Sequence, residues 1–79
     1  MQQYTYDIVI QEDGVDPGYV ARVPALPGCF GVGDSVEEAV EDIKKAIPLY
    51  LEALIEQGEP IPGNARVMLT APLTVELAA

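Results

Sequence analysis

Histidine and tryptophan are missing from these 79 residues, cysteine occurs once, and four lysines and arginines stand against thirteen acidic residues. Without histidine the chain lacks the side chain that most often serves as general base and metal ligand near neutral pH. A lone cysteine cannot form an intramolecular disulfide, and no charged-then-apolar leader opens the chain, so a reducing, cytoplasmic setting is expected. The longest apolar run is far too short to cross a bilayer. A formal charge of −9 disfavours direct binding to nucleic acid or to an anionic membrane and favours a basic protein partner. The length predicts one domain over residues 1–79, and a hydrophobic fraction of 49% separates it from disordered acidic chains.

What is present is organised around Pro24 to Ala39 (PALPGCFGVGDSVEEA). Pro24 and Pro27 fix φ and remove two backbone donors, so Ala25 to Gly28 should turn, with Gly28 able to take positive φ. Cys29 to Val32 then reads as a short strand ended by Gly33. Asp34 and Ser35 precede an apolar-periodic run. With Ser35 as N-cap, Glu38 falls at the third helical position, which predicts a capping box, and Glu37 and Glu38 suit the positive end of the helix dipole.

Upstream, Tyr4 to Gln11 alternates, with Tyr4, Tyr6, Ile8 and Ile10 on one face and Thr5, Asp7, Val9 and Gln11 on the other. The turn-rich Glu12 to Gly18 leads into a second strand, Gly18 to Val23, and the pair reads as a hairpin. Downstream, Val36, Ala39, Val40, Ile43, Ile47, Tyr50, Leu51, Leu54 and Ile55 form one helical stripe, with a Glu41–Lys45 pair on the outer side. Pro48 predicts a kink in one helix rather than two helices. Gly58, Pro60 and Pro62 end it. Residues 63–71 read as strand or extended loop, and Leu73 to Leu77 as an edge strand after Pro72. The expected fold class is α+β, β-β-β-α-β. A right-handed crossover places the last strand beside the first, giving order 3-2-1-4 with the helix on one face and a mainly polar opposite face of Thr5, Asp7, Gln11, Arg22, Thr74 and Glu76.

Little here points to chemistry. Cys29, in an apolar strand and without a histidine to activate it, reads as a small core residue. Glu12, Asp13 and Asp16 lack the spacing of a calcium loop and read as a solvated turn. Asp7 could be a nuclease's strand carboxylate, but one carboxylate is not a site, and a cross-strand pair with Arg22 is the simpler reading. Gly28, Gly31 and Gly33 form no phosphate-binding pattern and read as turn and close-packing positions. No catalytic, cofactor-binding or metal-binding residue is assigned, and no enzyme activity is expected. The strand edges and the apolar tail predict a homo-oligomer, a dimer or a tetramer.

Tyr19-Val-Ala-Arg-Val-Pro-Ala-Leu-Pro-Gly-Cys29, then Gly33-Asp-Ser-Val-Glu-Glu-Ala39, an apolar helix and Gly58-Glu-Pro-Ile-Pro62 together resemble the N-terminal domain of the HicB family of antitoxins. The resemblance covers Tyr4 to about Pro62. It implies a partial ribonuclease-H-like β-β-β-α-β fold and a protein-binding role, neutralising HicA, a small basic toxin that cleaves messenger RNA. Many members add a C-terminal DNA-binding domain, and with the chain ending at Ala79 that role is not expected to transfer. The alternative is a stand-alone oligomeric HicB-like domain with a structural or ligand-binding role and no toxin.

Overall fold

The computed structural model describes residues 3–15 and 17–78. Asp16 of the acidic turn lies outside the described residues. Three strands, β1 (Val9–Glu12), β2 (Tyr19–Arg22) and β3 (Phe30–Gly33), precede one helix, α1 (Val36–Glu56). The strands form an antiparallel meander in the order β1-β2-β3. Ile10 lies opposite Ala21, and Ala21 opposite Gly31, so the central strand carries the register for both neighbours.

β1 is shorter than the alternation from Tyr4 predicts. In this register Asp7 falls opposite Pro24, which has no N–H to give to a ladder and begins the turn away from the sheet. The turn closes with Leu26 N–H donating to the Val23 carbonyl at 3.0 Å and Cys29 N–H donating to the Leu26 carbonyl at 3.0 Å. Gly28 has φ +85°, the conformation a side chain resists. The Tyr50 hydroxyl donates to the Pro27 carbonyl at 2.8 Å and ties the turn to α1.

Ser35 caps α1: its Oγ accepts from the Glu38 N–H at 3.1 Å. The second half of the expected box is displaced by one residue, because Glu38 Oε2 accepts from the Asp34 N–H rather than that of Ser35. The helix runs unbroken through Pro48, which sits on its exposed side. It ends in a Schellman arrangement, with Gly58 N–H donating to the Ile55 carbonyl and Glu59 N–H to the Leu54 carbonyl. On the outer face Glu41 pairs with Lys44 at 3.4 Å, not with Lys45, and both partners are exposed.

Ala39, Ile43 and Leu51 of the stripe are buried against Ala21, Val23, Leu26 and Cys29. Val36 and Ile55 lie at the margins of the stripe and remain exposed. α1 lies chiefly over β3 and secondarily over β2. Two glycines permit this: a Cβ on Gly31 would stand 2.5 Å from the Ile43 backbone nitrogen, and one on Gly33 2.5 Å from that of Ala39. The helix backbone rests directly on the β3 backbone.

The structure departs from expectation after the helix. Leu73 to Leu77 belongs to no strand among the described residues, so within this chain the sheet has three strands and not the order 3-2-1-4 of a ribonuclease-H-like closure. Leu73 is 86% exposed, and α1 lies over β3 and β2 rather than over the tail. Residues 63–71 are extended without strand pairing.

Gly31→Ala should lower stability by about 2 kcal/mol or more, because backbone rather than a flexible side chain must move. Gly63→Ala, with open space around it, should change the urea midpoint little. Ser35→Ala should cost about 1 kcal/mol. Equal midpoints for the Gly31 and Gly63 variants would show that the close helix approach does not exist.

Candidate functional site

The sheet face opposite α1 is uncovered. Period-two alternation puts Val9 and Gln11 of β1, Val20 and Arg22 of β2, and Phe30 and Val32 of β3 on this face. The register aligns them in two cross-strand rows, Gln11–Val20–Val32 and Val9–Arg22–Phe30. The proline turn walls one end with Pro24, Pro27 and Gly28, and the resulting groove has a volume of about 730 Å³. Phe30 is 58% and Val32 51% exposed, values that a solvated face filled by polar residues would not show. The expected polar face is therefore corrected: four of its six strand positions are apolar, and β3 contributes nothing polar to it. The alternation already carried the signal, since β1 and β2 have apolar residues on both faces and the apolar side chains of β3, Phe30 and Val32, both fall on this one.

Arg22 is the one cation in this groove, and among the described residues it forms no ion pair. The predicted pairing with Asp7 is replaced by a different contact. Asp7 Oδ2 accepts from the Val67 N–H at 2.8 Å, Asp7 Oδ1 accepts from the Asn64 amide at 3.2 Å, and the Asp7 N–H donates to Asn64 Oδ1 at 2.8 Å. The Val67 N–H first, then the Asn64 amide and the charge of Arg66, hold the Asp7 carboxyl below its ordinary value of 3.8. Asp7 is thus a clasp for the chain leaving α1, assisted by the Tyr6 hydroxyl, which donates to the Pro62 carbonyl at 2.7 Å. Asn64 gave no sequence signal for this role, because the contact spans 57 residues.

Carboxylates adjoin the groove at Val32. Glu37, Glu38, Glu41 and Asp42 of α1, with Lys45, surround a second, shallower concavity that shares Val32 with the first. Asp42 Oδ2 accepts from the Val32 N–H at 2.9 Å, so this carboxylate also seals the outer edge of β3. Cys29 is buried and its thiol is pushed up by that burial, the reverse of what a nucleophile needs. Glu12 and Asp13 lie in and beside the hairpin loop, where Asp13 Oδ1 accepts from the Val15 N–H. Among the described residues no three cysteine or acidic side chains group to hold a metal ion, and no helix is long and apolar enough to cross a membrane.

The family model described as the HicB-like antitoxin of bacterial toxin–antitoxin systems matches residues 6–72, a span that includes every strand, the proline turn and α1. The chain belongs to this HicB-like family. A UPF0150 protein of Helicobacter pylori is 54% identical over 70 residues, covering 89% of this chain and 93% of its own. A UPF0150 protein of Synechocystis is 38% identical over 74 residues, covering 94% and 90%. A chain of the solved HicA3 and HicB3 toxin–antitoxin complex superimposes with a TM-score of 0.57 at 25% identity, over 70% of this chain. The HicB-like chain spans 63% of that solved chain, less than two thirds of its length.

Because the Asp7 carboxyl is held low, its clasp contributes fully above pH 3.8 and is lost as pH falls through the depressed folded value. The protection factor of the Val67 amide should fall over that acid range in the native chain. In Asp7→Asn it should be low throughout, and trypsin should cut after Arg66 several-fold faster at neutral pH. Unchanged cleavage would refute the clasp.

Proposed function

We propose that residues 1–79 act as one HicB-like antitoxin domain that binds a small basic toxin of the HicA type through the uncovered sheet face. The observation that carries this reading is an exposed apolar groove, Val9, Val20, Phe30 and Val32, bordered by the carboxylates of α1. Such a pairing suits a partner whose contact surface is apolar at its centre and cationic at its rim. The apolar side chains supply affinity, and the acidic rim supplies steering and rejection of acidic partners. The net charge of −9 gives that steering a field over the whole surface. Family membership and the likeness to a toxin–antitoxin complex support the same partner class.

In this reading the domain inhibits by occupying the toxin's cationic surface, which is also the surface that messenger RNA would need. No chemistry of its own is required. The buried thiol is not offered as a nucleophile, and Asp7 is engaged in a structural contact rather than presented to substrate.

The test is co-purification with a small basic protein encoded beside this one, followed by an RNA-cleavage assay of that protein. A complex should form, and cleavage should stop at one equivalent of the domain. Phe30→Asp, at a position already exposed, should weaken the complex by about 10-fold or more while leaving the urea midpoint nearly unchanged. Tight binding that survives Phe30→Asp would move the interface elsewhere, and a partner without RNA-cleaving activity would favour the toxin-free alternative. The domain alone should not cleave RNA with Mg²⁺ present; cleavage abolished in Asp7→Asn would contradict the account.

A further inference from the structure

We propose that Leu73–Leu77 of one copy pairs as a strand with the outer edge of β1 in a second copy, and that the two chains exchange these strands reciprocally. The sheet has two outer edges, and among the described residues only that of β3 is capped by side chains of α1. On β3 the Val32 N–H donates to Asp42 of α1, and just past the strand the Asp34 N–H donates to Glu38, so helix carboxylates block the half of that edge nearest the helix start. On β1 the Asp13 N–H donates to the Gly18 carbonyl. Antiparallel alternation then turns Gln11 and Val9 toward β2 and leaves the N–H and C=O of Ile10 and Glu12 facing outward. No backbone bond from outside the sheet reaches those two residues among the described residues.

The space above this edge is also unfilled. α1 lies over β3 and β2, so Ile8 and Ile10 on the helix side of β1 are only half-buried. A strand placed beside them would turn one row of side chains into that gap. The tail supplies such a row: Leu73, Val75 and Leu77 alternate with Thr74 and Glu76 and are 86%, 70% and 92% exposed. Pro72 stands just ahead of it, where a strand tolerates proline. Between Val67 and Leu77 the sole charged side chain is Glu76, so this is the segment that another copy of a highly acidic chain repels least.

Chain length directs the tail to another copy. Val67 is held at Asp7. Residues 68–72 are exposed and unpaired rather than laid against the β1 edge, and at about 3.3 Å per residue they can carry Leu73 roughly 20 Å from the anchor, past the length of the chain's own β1. The surface area agrees. A compact chain of 8.5 kDa exposes about 4,700 Å² by the scaling for folded monomers, and this one exposes 6461 Å². The surplus, roughly 1,800 Å², exceeds the ~800 Å² that each partner of a stable complex buries. Exchange is isologous, since each copy offers one open edge and one tail.

Sedimentation velocity of the full chain at micromolar concentration should show a single species at twice 8.5 kDa. Hydrogen exchange should show the Ile10 and Glu12 amides protected in that species. Val75→Lys, at an exposed position remote from the core, should raise the dimer dissociation constant at least about 100-fold, because the change is felt at both exchanged strands. Deleting residues 68–79 should give a monomer in which the Ile10 and Glu12 amides exchange freely. Three results would overturn the proposal: a monomer with protected Ile10 and Glu12 amides, meaning that the tail closes on its own sheet; a dimer that persists after the deletion; or a dimer whose Ile10 and Glu12 amides are unprotected.

Discussion

The contact between the α1 backbone and the β3 backbone at Gly31 and Gly33 governs the arrangement. Two positions without side chains let Ile43 and Ala39 settle onto β3, and this sets the helix toward one side of a narrow sheet. Once α1 is there, Asp42 reaches the outer N–H of Val32 and Glu38 that of Asp34 just past β3, capping that end of the edge. The same displacement leaves β1 only partly covered and open along its outer side. The opposite sheet face receives no layer at all. A domain of this size cannot bury both faces of its sheet with one helix, and the position of that helix decides which surfaces remain for other molecules.

The organising stretch could be read from sequence because its signals are local. Pro24, Pro27 and Gly28 dictate the turn by φ alone, and the Ser35 cap follows from spacing over four residues. Helical periodicity located α1 and its buried line of Ala39, Ile43 and Leu51 in the same way. Gly31 and Gly33 were legible as close-packing positions, though not which helical residues they would meet. The clasp at Asp7 was not legible, since it depends on Asn64 and Val67 arriving from nearly sixty residues away. The tail was misplaced for a related reason. Alternation at Leu73, Val75 and Leu77 indicates a strand but says nothing about whose sheet receives it.

The uncovered face shows how a pattern can be present and still be misjudged. Val9, Val20, Phe30 and Val32 stood at outward positions, but Gln11 and Arg22 beside them suggested a solvated surface. Pairing resolves this, because Val20 lies directly opposite Val32, and Arg22 lies between Val9 and Phe30. Apolar residues that are scattered in sequence become contiguous in the sheet. With the acid-lined concavity at Val32, they give a HicB-like domain a surface that can discriminate by shape and by charge. The open β1 edge flanks this face at Val9 and Gln11, so a strand added there would extend the face rather than cover it.

Mapping amide chemical shifts of the labelled domain during titration with its basic partner tests the central claim most directly. The account predicts the largest changes at Val9, Gln11, Val20, Arg22, Phe30 and Val32, extending to Glu41 and Asp42 at the rim. Changes confined to the solvent side of α1 around Glu52 and Glu56, with the sheet-face amides unmoved, would contradict it.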